Sequence, residues 1–162
     1  MDDSSPPTTL GLQARKTAKT LGWLGVIPFM ALVITHALGG PQWAQQALVA
    51  YSALILSFMA GTLWSQWIHA TRTSTRSSHH LVASNLLVLL AWPALWFPTA
   101  WASLWLGALF AIHLVLDAPW QSQSGPAWYR HMRLGISVVV ITLLLLGGAI
   151  ALGIRFGSGA GT

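Results

Sequence analysis

Five long apolar runs occupy most of the chain, and this pattern constrains the fold more than any other feature of the sequence. The runs lie at about Leu21–Leu38, Gln45–Ile68, Leu81–Phe97, Thr99–Leu116 and Met132–Ile154. A helix that crosses the hydrocarbon core of a bilayer needs about 20 apolar residues, and about 17 is the practical minimum. The sequence therefore predicts an all-α, polytopic membrane protein, a five-transmembrane-helix bundle over residues 21–155.

Proline residues interrupt or bound three of these runs. Pro28 lies inside the first run and Pro93 inside the third. Proline has no backbone N–H to donate within a helix, so each of these residues predicts a kink. Pro98 and its neighbours are all that separates the third run from the fourth, which predicts a tight antiparallel hairpin.

The composition excludes a water-soluble exterior. Only 7% of the 162 residues are charged, whereas a typical soluble domain has about 25%. Too few charges remain to cover a water-facing surface, so the lipid bilayer is the first predicted partner. The net charge of +5 does not indicate nucleic-acid binding, because the eight basic residues lie between apolar runs and not on one soluble face.

The basic residues also predict the orientation of the chain. Seven basic residues lie before the first run, between the second and third runs, or where the fourth run gives way to the fifth: Arg15, Lys16, Lys19, Arg72, Arg76, Arg130 and Arg133. Only Arg155 falls on the other side of the membrane. Positively charged segments stay in the cytoplasm, so we expect a cytoplasmic amino terminus and an external carboxy terminus. Residues 1–20 are predicted to form a flexible polar and basic tail, and residues 156–162 a short carboxy-terminal tail.

Small residues recur every four positions in two of the runs. The second run carries Ala53, Ser57, Gly61 and Ser65, and the fourth carries Ser103, Gly107 and Ala111. Residues four apart share a helix face, and faces of small residues let two helices approach closely in lipid. We predict that these are helix-packing surfaces that join the second helix to the fourth, or that one of them faces another membrane protein or a second copy.

Four of the ten tryptophans lie in the predicted hairpin. Trp92 and Trp96 are four residues apart, as are Trp101 and Trp105, so each pair shares one helix face. One interpretation is an aromatic belt at the level of the lipid headgroups. The other is a pocket between the two pairs that binds a flat apolar ligand, such as a quinone or a haem.

A set of ionisable side chains lies near the predicted cytoplasmic ends of three runs. His113 and Asp117 are one helical turn apart, His69 follows the second run, and Arg130 and Arg133 open the fifth. Ionisable groups at membrane depth are costly and usually paired. The set therefore indicates either an ion pair of Asp117 with one of the two arginines, or a proton-handling or metal-ligating site that includes the histidines.

No motif in the sequence indicates catalysis. The chain contains no G-x-S-x-G, no H-E-x-x-H and no phosphate-cradling glycine loop, and it has no cysteine. The spacing of the histidines and Asp117 matches no known metal signature. We therefore predict no catalytic residue and no metal site, and the sequence by itself requires no cofactor.

Several short segments resemble one known family. They are Tyr51–Trp64 (YSALILSFMAGTLW), Pro126–Arg133 (PAWYRHMR), Leu21–Pro28 (LGWLGVIP) and Leu116–Asp117. Together they resemble the family named domain of unknown function 3429, and the resemblance extends over roughly residues 20–152. Members of that family are small five-helix membrane proteins, mostly bacterial, so the resemblance implies a location in the bacterial inner membrane. It implies no established reaction or ligand.

Two functional hypotheses remain from the sequence. The first is a non-enzymatic accessory or assembly protein that acts through helix–helix contacts, because small-residue faces are present and catalytic motifs are not. The second is a protein that binds a small apolar cofactor, a quinone or a haem. It would use the tryptophans of the hairpin or the side of the bundle that carries His69 and His113.

Overall fold

The computed structural model describes residues 9–69, 77–124 and 126–159, and the side chains of residues 12–64, 79–118 and 126–153. Every regular element in these residues is helical. In chain order they are α1 (Thr9–Leu24), α2 (Ile27–Ala37), α3 (Trp43–His69), α4 (Ser77–Ala91), a 3-10 helix (Trp92–Leu95), α5 (Thr99–Ser124) and α6 (Ala127–Gly159). The predicted all-α class is confirmed for this part of the chain.

Four helical stretches in the described residues are long and apolar enough to cross a membrane. They are Leu12–Ala37, which combines α1 and α2, then Trp43–Trp64, Thr99–Ala118 and Ala127–Gly153. A shorter apolar stretch, His79–Leu95, combines α4 with the 3-10 helix and matches most of the third predicted run. The chain is thus a multi-pass membrane protein.

Pro28 breaks the first span, as the sequence predicted. A turn at Gly25 and Val26 separates α1 from α2. Pro28 lies in the first turn of α2, where a backbone N–H would make no hydrogen bond within the helix, so its absence costs nothing. The hydroxyl of Tyr51 on α3 donates to the carbonyl oxygen of Gly25 at 3.1 Å. This hydrogen bond satisfies a backbone oxygen at the break and attaches it to α3.

Pro93 has a related effect on the third run. The α-helix ends at Ala91, and the chain continues as a 3-10 helix through Pro93. A 3-10 helix pairs residues three apart, so carbonyl groups at the transition need other donors. The indole Nε1–H of Trp105 donates to the carbonyl oxygen of Leu90 at 2.8 Å and supplies one. Trp105 thereby joins α5 to the end of α4.

The first and last helices, α1 and α6, extend further toward the termini than the sequence predicted. The segment up to Thr20 was expected to be flexible, yet α1 begins at Thr9, because Ala, Arg, Lys, Leu and Gln all favour helix. The side chains of Arg15 and Lys19 also lie over the ring of Trp128, at 5.2 and 5.8 Å from its centroid. At the other end α6 continues to Gly159, whereas residues 1–8 and 160–162 of the predicted tails lie outside the described residues.

The helix α3 lies at the centre of the bundle, in contact with α2, α4 and α5, while α5 packs along α6. Large side chains fill the space between them, and the fully buried ones include Phe29, Leu48, Leu56, Leu106 and Leu144. The ring of Phe29 meets Tyr51 edge-on, with 4.9 Å between ring centroids. This apolar core packs α3, α5 and α6 together, and the buried side chains of His113, Asp117 and Arg133 lie on these helices.

Candidate functional site

A buried ion pair joins α5 to α6. Arg133 Nε donates to Asp117 Oδ2 at 2.6 Å, and only 8% of the Arg133 side chain and 3% of the Asp117 side chain are exposed. Asp117 is the next-to-last residue of the apolar stretch Thr99–Ala118. Two charges so poorly hydrated stabilise a structure only when each is paired and hydrogen-bonded, so the carboxylate and the guanidinium depend on each other.

The remaining donors of Arg133 extend the pair to other helices. Its Nη2 donates to the hydroxyl of Thr62 on α3 at 2.9 Å, and its Nη1 donates to the hydroxyl of Tyr129 at 3.2 Å. The Thr62 hydroxyl donates in turn to the carbonyl oxygen of Met59 at 2.7 Å. One guanidinium group therefore connects three helices of the bundle.

His113 belongs to the same cluster and is 1% exposed. Its Nε2 lies 2.9 Å from the carbonyl oxygen of Met59, which also accepts the hydrogen bond from Thr62. A carbonyl oxygen can only accept, so Nε2 must carry a proton. We call Thr62, His113, Asp117, Tyr129 and Arg133 the polar cluster. It joins α3, α5 and α6 at one level.

An apolar cavity of about 240 Å³ lies beside the polar cluster, between the first span, α3 and α6. Arg133 and Tyr129 are the two lining residues with polar side chains. The others are apolar or glycine: Leu21, Gly22, Gly25, Val26, Phe29, Ile55, Phe58, Met59, Met132, Ile136 and Val140. The break between α1 and α2 contributes Gly25 and Val26 to this wall, so the proline in the first span also shapes the cavity.

The structure brings together some of the ionisable residues that the sequence singled out. Asp117 pairs with Arg133 and not with Arg130, which is half-buried one turn earlier on α6. His113 lies one turn from Asp117, and the side chain of His69 falls outside the described side chains. Among the described side chains, no three His, Cys, Asp or Glu residues come together.

The four hairpin tryptophans lie at the surface of the bundle. Trp92 and Trp96 pack against each other edge-to-face, with 4.6 Å between ring centroids, and Trp105 hydrogen-bonds to α4. Their exposures are 61% for Trp92, 65% for Trp96, 57% for Trp101 and 38% for Trp105. These side chains lie on the outside of the bundle, and a ligand pocket between the two pairs stays a prediction.

The two small-residue faces do not meet through their glycines. A Cβ added to Gly107 would lie 3.4 Å from Leu145 and 3.6 Å from Leu144, so this face of α5 packs against α6. A Cβ added to Gly61 would have no neighbour within 4 Å. The expected contact between Gly61 and Gly107 is therefore not made, because Gly107 packs against α6.

The other members of the two stripes have different surroundings. Ser103 is buried and donates to the carbonyl oxygen of Thr99, while Ala111 is half-buried. Ala53 and the half-buried Ser57 line a groove between α3 and α4. The side chain of Ser65 lies outside the described side chains.

Sequence reasoning missed two members of the polar cluster. Thr62 precedes Arg133 by 71 residues, so no spacing rule connects them. Tyr129 precedes Arg133 by one helical turn, and that i, i+4 spacing could have indicated the contact. Long-range pairing of this kind depends on how α3 and α6 cross, which local patterns do not encode.

The fold and the cluster define a polytopic helical membrane protein with a buried ion-pair network. The chain belongs to the family described as Protein of unknown function (DUF3429), whose model matches residues 14–149. It is also similar to "Transmembrane protein 69" of Xenopus tropicalis, with 30% identity over 138 residues, 82% of this chain and 53% of the relative. The chain thus spans about half the length of that curated relative. No solved structure matches the chain.

Proposed function

We propose that the protein is a non-enzymatic accessory or assembly protein that binds a transmembrane helix of another membrane protein. The supporting observation is a groove of about 370 Å³ on the lipid-facing side, between α3 and α4. It is lined by Ala50, Ala53, Leu54, Ser57, Val88, Leu89, Trp92 and Leu95. In lipid, helices associate where small residues let backbones approach and pack.

The α3 side of this groove suits a helical partner. Ala53 and Ser57 form its floor, and Gly61, one turn further along the same face, is open. The Ser57 hydroxyl donates to the carbonyl oxygen of Ala53 at 2.8 Å, so its polar group is satisfied within α3. The groove thus offers a smooth, apolar surface at which a helix gains packing contacts without leaving a polar group unpaired.

The shape of the groove favours a different protein over a second copy. A two-fold dimer places the same patch of both subunits together, and two concave grooves leave a gap between them. A helix of another protein presents a convex ridge, which fits between rows of side chains. The proposed occupant is therefore one apolar transmembrane helix of a partner protein.

Site-specific cross-linking in native membranes tests this proposal. The chain has no cysteine, so a single cysteine at Ser57 in the groove can be compared with one at Val138, which is 49% exposed on α6. We expect Ser57→Cys to cross-link to one defined membrane protein and Val138→Cys not to do so. Adding Gly61→Leu should remove that adduct and leave the melting temperature unchanged, because Gly61 has open space around it.

Other cross-linking outcomes would reject the proposal. An adduct between two copies of this chain would show that the groove is a dimer interface. Equal cross-linking from Ser57→Cys and Val138→Cys would show collisions in the membrane without a specific partner. Gly153→Leu is the matched control for Gly61→Leu, because a Cβ at Gly153 on α6 also has no neighbour within 4 Å.

We further propose that five helices cross a bacterial inner membrane, with a cytoplasmic amino terminus and a periplasmic carboxy terminus. The distribution of basic residues supports this orientation, and the 17 residues of His79–Leu95 support a short fifth crossing. Reporter fusions after Arg76 and after Gln123 should read cytoplasmic, and a fusion after Gly157 external. A cytoplasmic reading after Gly157 would show that the number of crossings is even.

A further inference from the structure

We propose that the cavity beside the polar cluster binds the head of a neutral, carbonyl-bearing lipid, through hydrogen bonds from Arg133 and Tyr129. The site is separate from the α3–α4 groove and does not rest on the function proposed above. It adjoins the polar cluster that contains His113, and none of the four hairpin tryptophans lines it.

The wall of the cavity is almost entirely apolar, and two of its lining residues have polar side chains. Ligand sites are typically apolar with a few well-placed polar groups that fix orientation. Here Phe29, Ile55 and Met132 provide apolar contacts, and Arg133 and Tyr129 are the lining residues with polar side chains. A ligand that fits this wall must itself be amphiphilic, with a compact polar head and an apolar remainder.

The two polar lining residues, Arg133 and Tyr129, carry several hydrogen-bond donors. A guanidinium group has five N–H bonds, and Arg133 donates three of them, to Asp117, Thr62 and Tyr129. The Tyr129 oxygen accepts from Arg133, so its own O–H is left to donate. Unpaired donors at membrane depth are costly. The ligand head should therefore carry hydrogen-bond acceptors, and a carbonyl oxygen is the acceptor that apolar membrane molecules most often have.

The charge of the cluster favours a neutral head over an anion. Arg133 brings one positive charge to the wall, and the carboxylate of Asp117, 2.6 Å from Nε, offsets it. An anion bound beside this pair would lie near the carboxylate of Asp117, which already offsets the positive charge of Arg133. A neutral carbonyl needs only a donor, and it leaves the ion pair intact.

The size and position of the cavity suit a head group with an attached chain. Ligand pockets that enclose a whole drug-sized molecule measure about 300–1,000 Å³, and this cavity is somewhat smaller at about 240 Å³. Two of its lining residues, Leu21 and Phe58, are 64% and 76% exposed, so the cavity opens to the lipid between α1 and α3. A chain attached to the bound head can leave through this opening.

Two common sources supply such a head, a quinone ring and the ester carbonyls of an uncharged glycerolipid. The purified protein can be titrated with decylubiquinone, dioctanoylglycerol, myristic acid and dodecylbenzene while its tryptophan emission reports the melting temperature. We expect decylubiquinone or dioctanoylglycerol to raise the melting temperature saturably, and the responding probe identifies the source. Dodecylbenzene, which has no carbonyl, and the anionic myristic acid should have no saturable effect.

Two variants test where the probe binds. Tyr129→Phe removes the hydroxyl and should weaken binding about threefold to tenfold, the loss typical of one hydrogen bond. Thr142→Val is its control, because the exposed Thr142 hydroxyl donates only to Val138 on the same helix. Gly25→Leu should weaken binding by at least about tenfold by filling the cavity. A Cβ at Gly25 makes only ordinary contacts at 3.4 Å or more, so this variant should fold.

The melting temperatures of the unliganded variants show whether they are folded. The proposal is overturned if no neutral carbonyl probe shifts the melting temperature, or if dodecylbenzene shifts it equally. A saturable response to myristic acid alone would identify an anion site instead. Unchanged probe affinity in folded Tyr129→Phe and Gly25→Leu would place the binding site elsewhere.

Discussion

Replacing Asp117 by alanine is expected to lower the free energy of unfolding by about 3–5 kcal/mol, as is typical when one partner of a buried ion pair is removed. The guanidinium of Arg133 would stay in a site where only 8% of its side chain is exposed, without the carboxylate that now lies 2.6 Å away. The hydroxyls of Thr62 and Tyr129 accept hydrogen bonds from it but offer no compensating charge.

A double-mutant cycle measures the energetic coupling between Asp117 and Arg133. The free energies of unfolding of Asp117→Ala, Arg133→Ala and the double variant can be obtained from detergent-induced unfolding followed by tryptophan emission. The double variant should cost less than the sum of the two single variants, because it leaves neither charge unpaired. Arg130→Ala is the control, and we expect it to cost about 1 kcal/mol or less. Additive single-variant effects would show that the pair is not energetically coupled.

Replacing Gly148 by valine is expected to cost about 1–3 kcal/mol, the usual effect of overpacking a closely packed contact. A Cβ at Gly148 would lie 2.9 Å from the Leu104 side chain and 3.0 Å from the carbonyl oxygen of Ala100. A leucine side chain can rotate away, but the backbone oxygen cannot, so α5 and α6 would have to separate. That movement would also strain the ion pair between the same two helices.

Gly153 provides a matched control on the same helix. Its surroundings leave a Cβ with no neighbour within 4 Å. Gly153→Val makes the same chemical change in α6. The difference in melting temperature between the two variants therefore measures the effect of the close packing around Gly148. Equal melting temperatures would show that α5 and α6 are not closely packed at Gly148.

The helices were well predicted because bilayer thickness sets their length. Apolar runs of the required length appear directly in the sequence, and Pro28 and Pro93 mark the interruptions that the structure shows. The predicted ends of the helices were less accurate. The segment before Thr20 has a polar composition that suggested a tail, but its individual residues favour helix, and Trp128 provides contacts that hold it.

The candidate site was predictable only in part. Asp117 stood out as the one acidic residue away from the amino terminus, and two arginines close in sequence were available to pair with it. The choice between Arg130 and Arg133 depends on which face of α6 turns toward α5. Thr62 could not be found at all, because its contact with Arg133 follows from the placement of α3 in the finished bundle.

Small-residue patterns were less informative about which helices meet. The stripes that include Gly61 and Gly107 have the same spacing, yet one is open and the other packs against α6. The spacing shows that a helix can be approached closely, and the rest of the bundle determines what approaches it. The helix that contacts each small-residue face could therefore be identified only from the structure.

The order of the ion-pair partners along the chain constrains how the protein enters its membrane during synthesis. Asp117 leaves the ribosome 16 residues before Arg133, so α5 reaches the insertion machinery ahead of the arginine that forms the buried ion pair with its carboxylate. Ionisable side chains at membrane depth are costly and usually paired. Release of α5 into lipid is therefore easiest once α6 has arrived, so that the two helices enter together as a hairpin beside the Thr62 hydroxyl already in place.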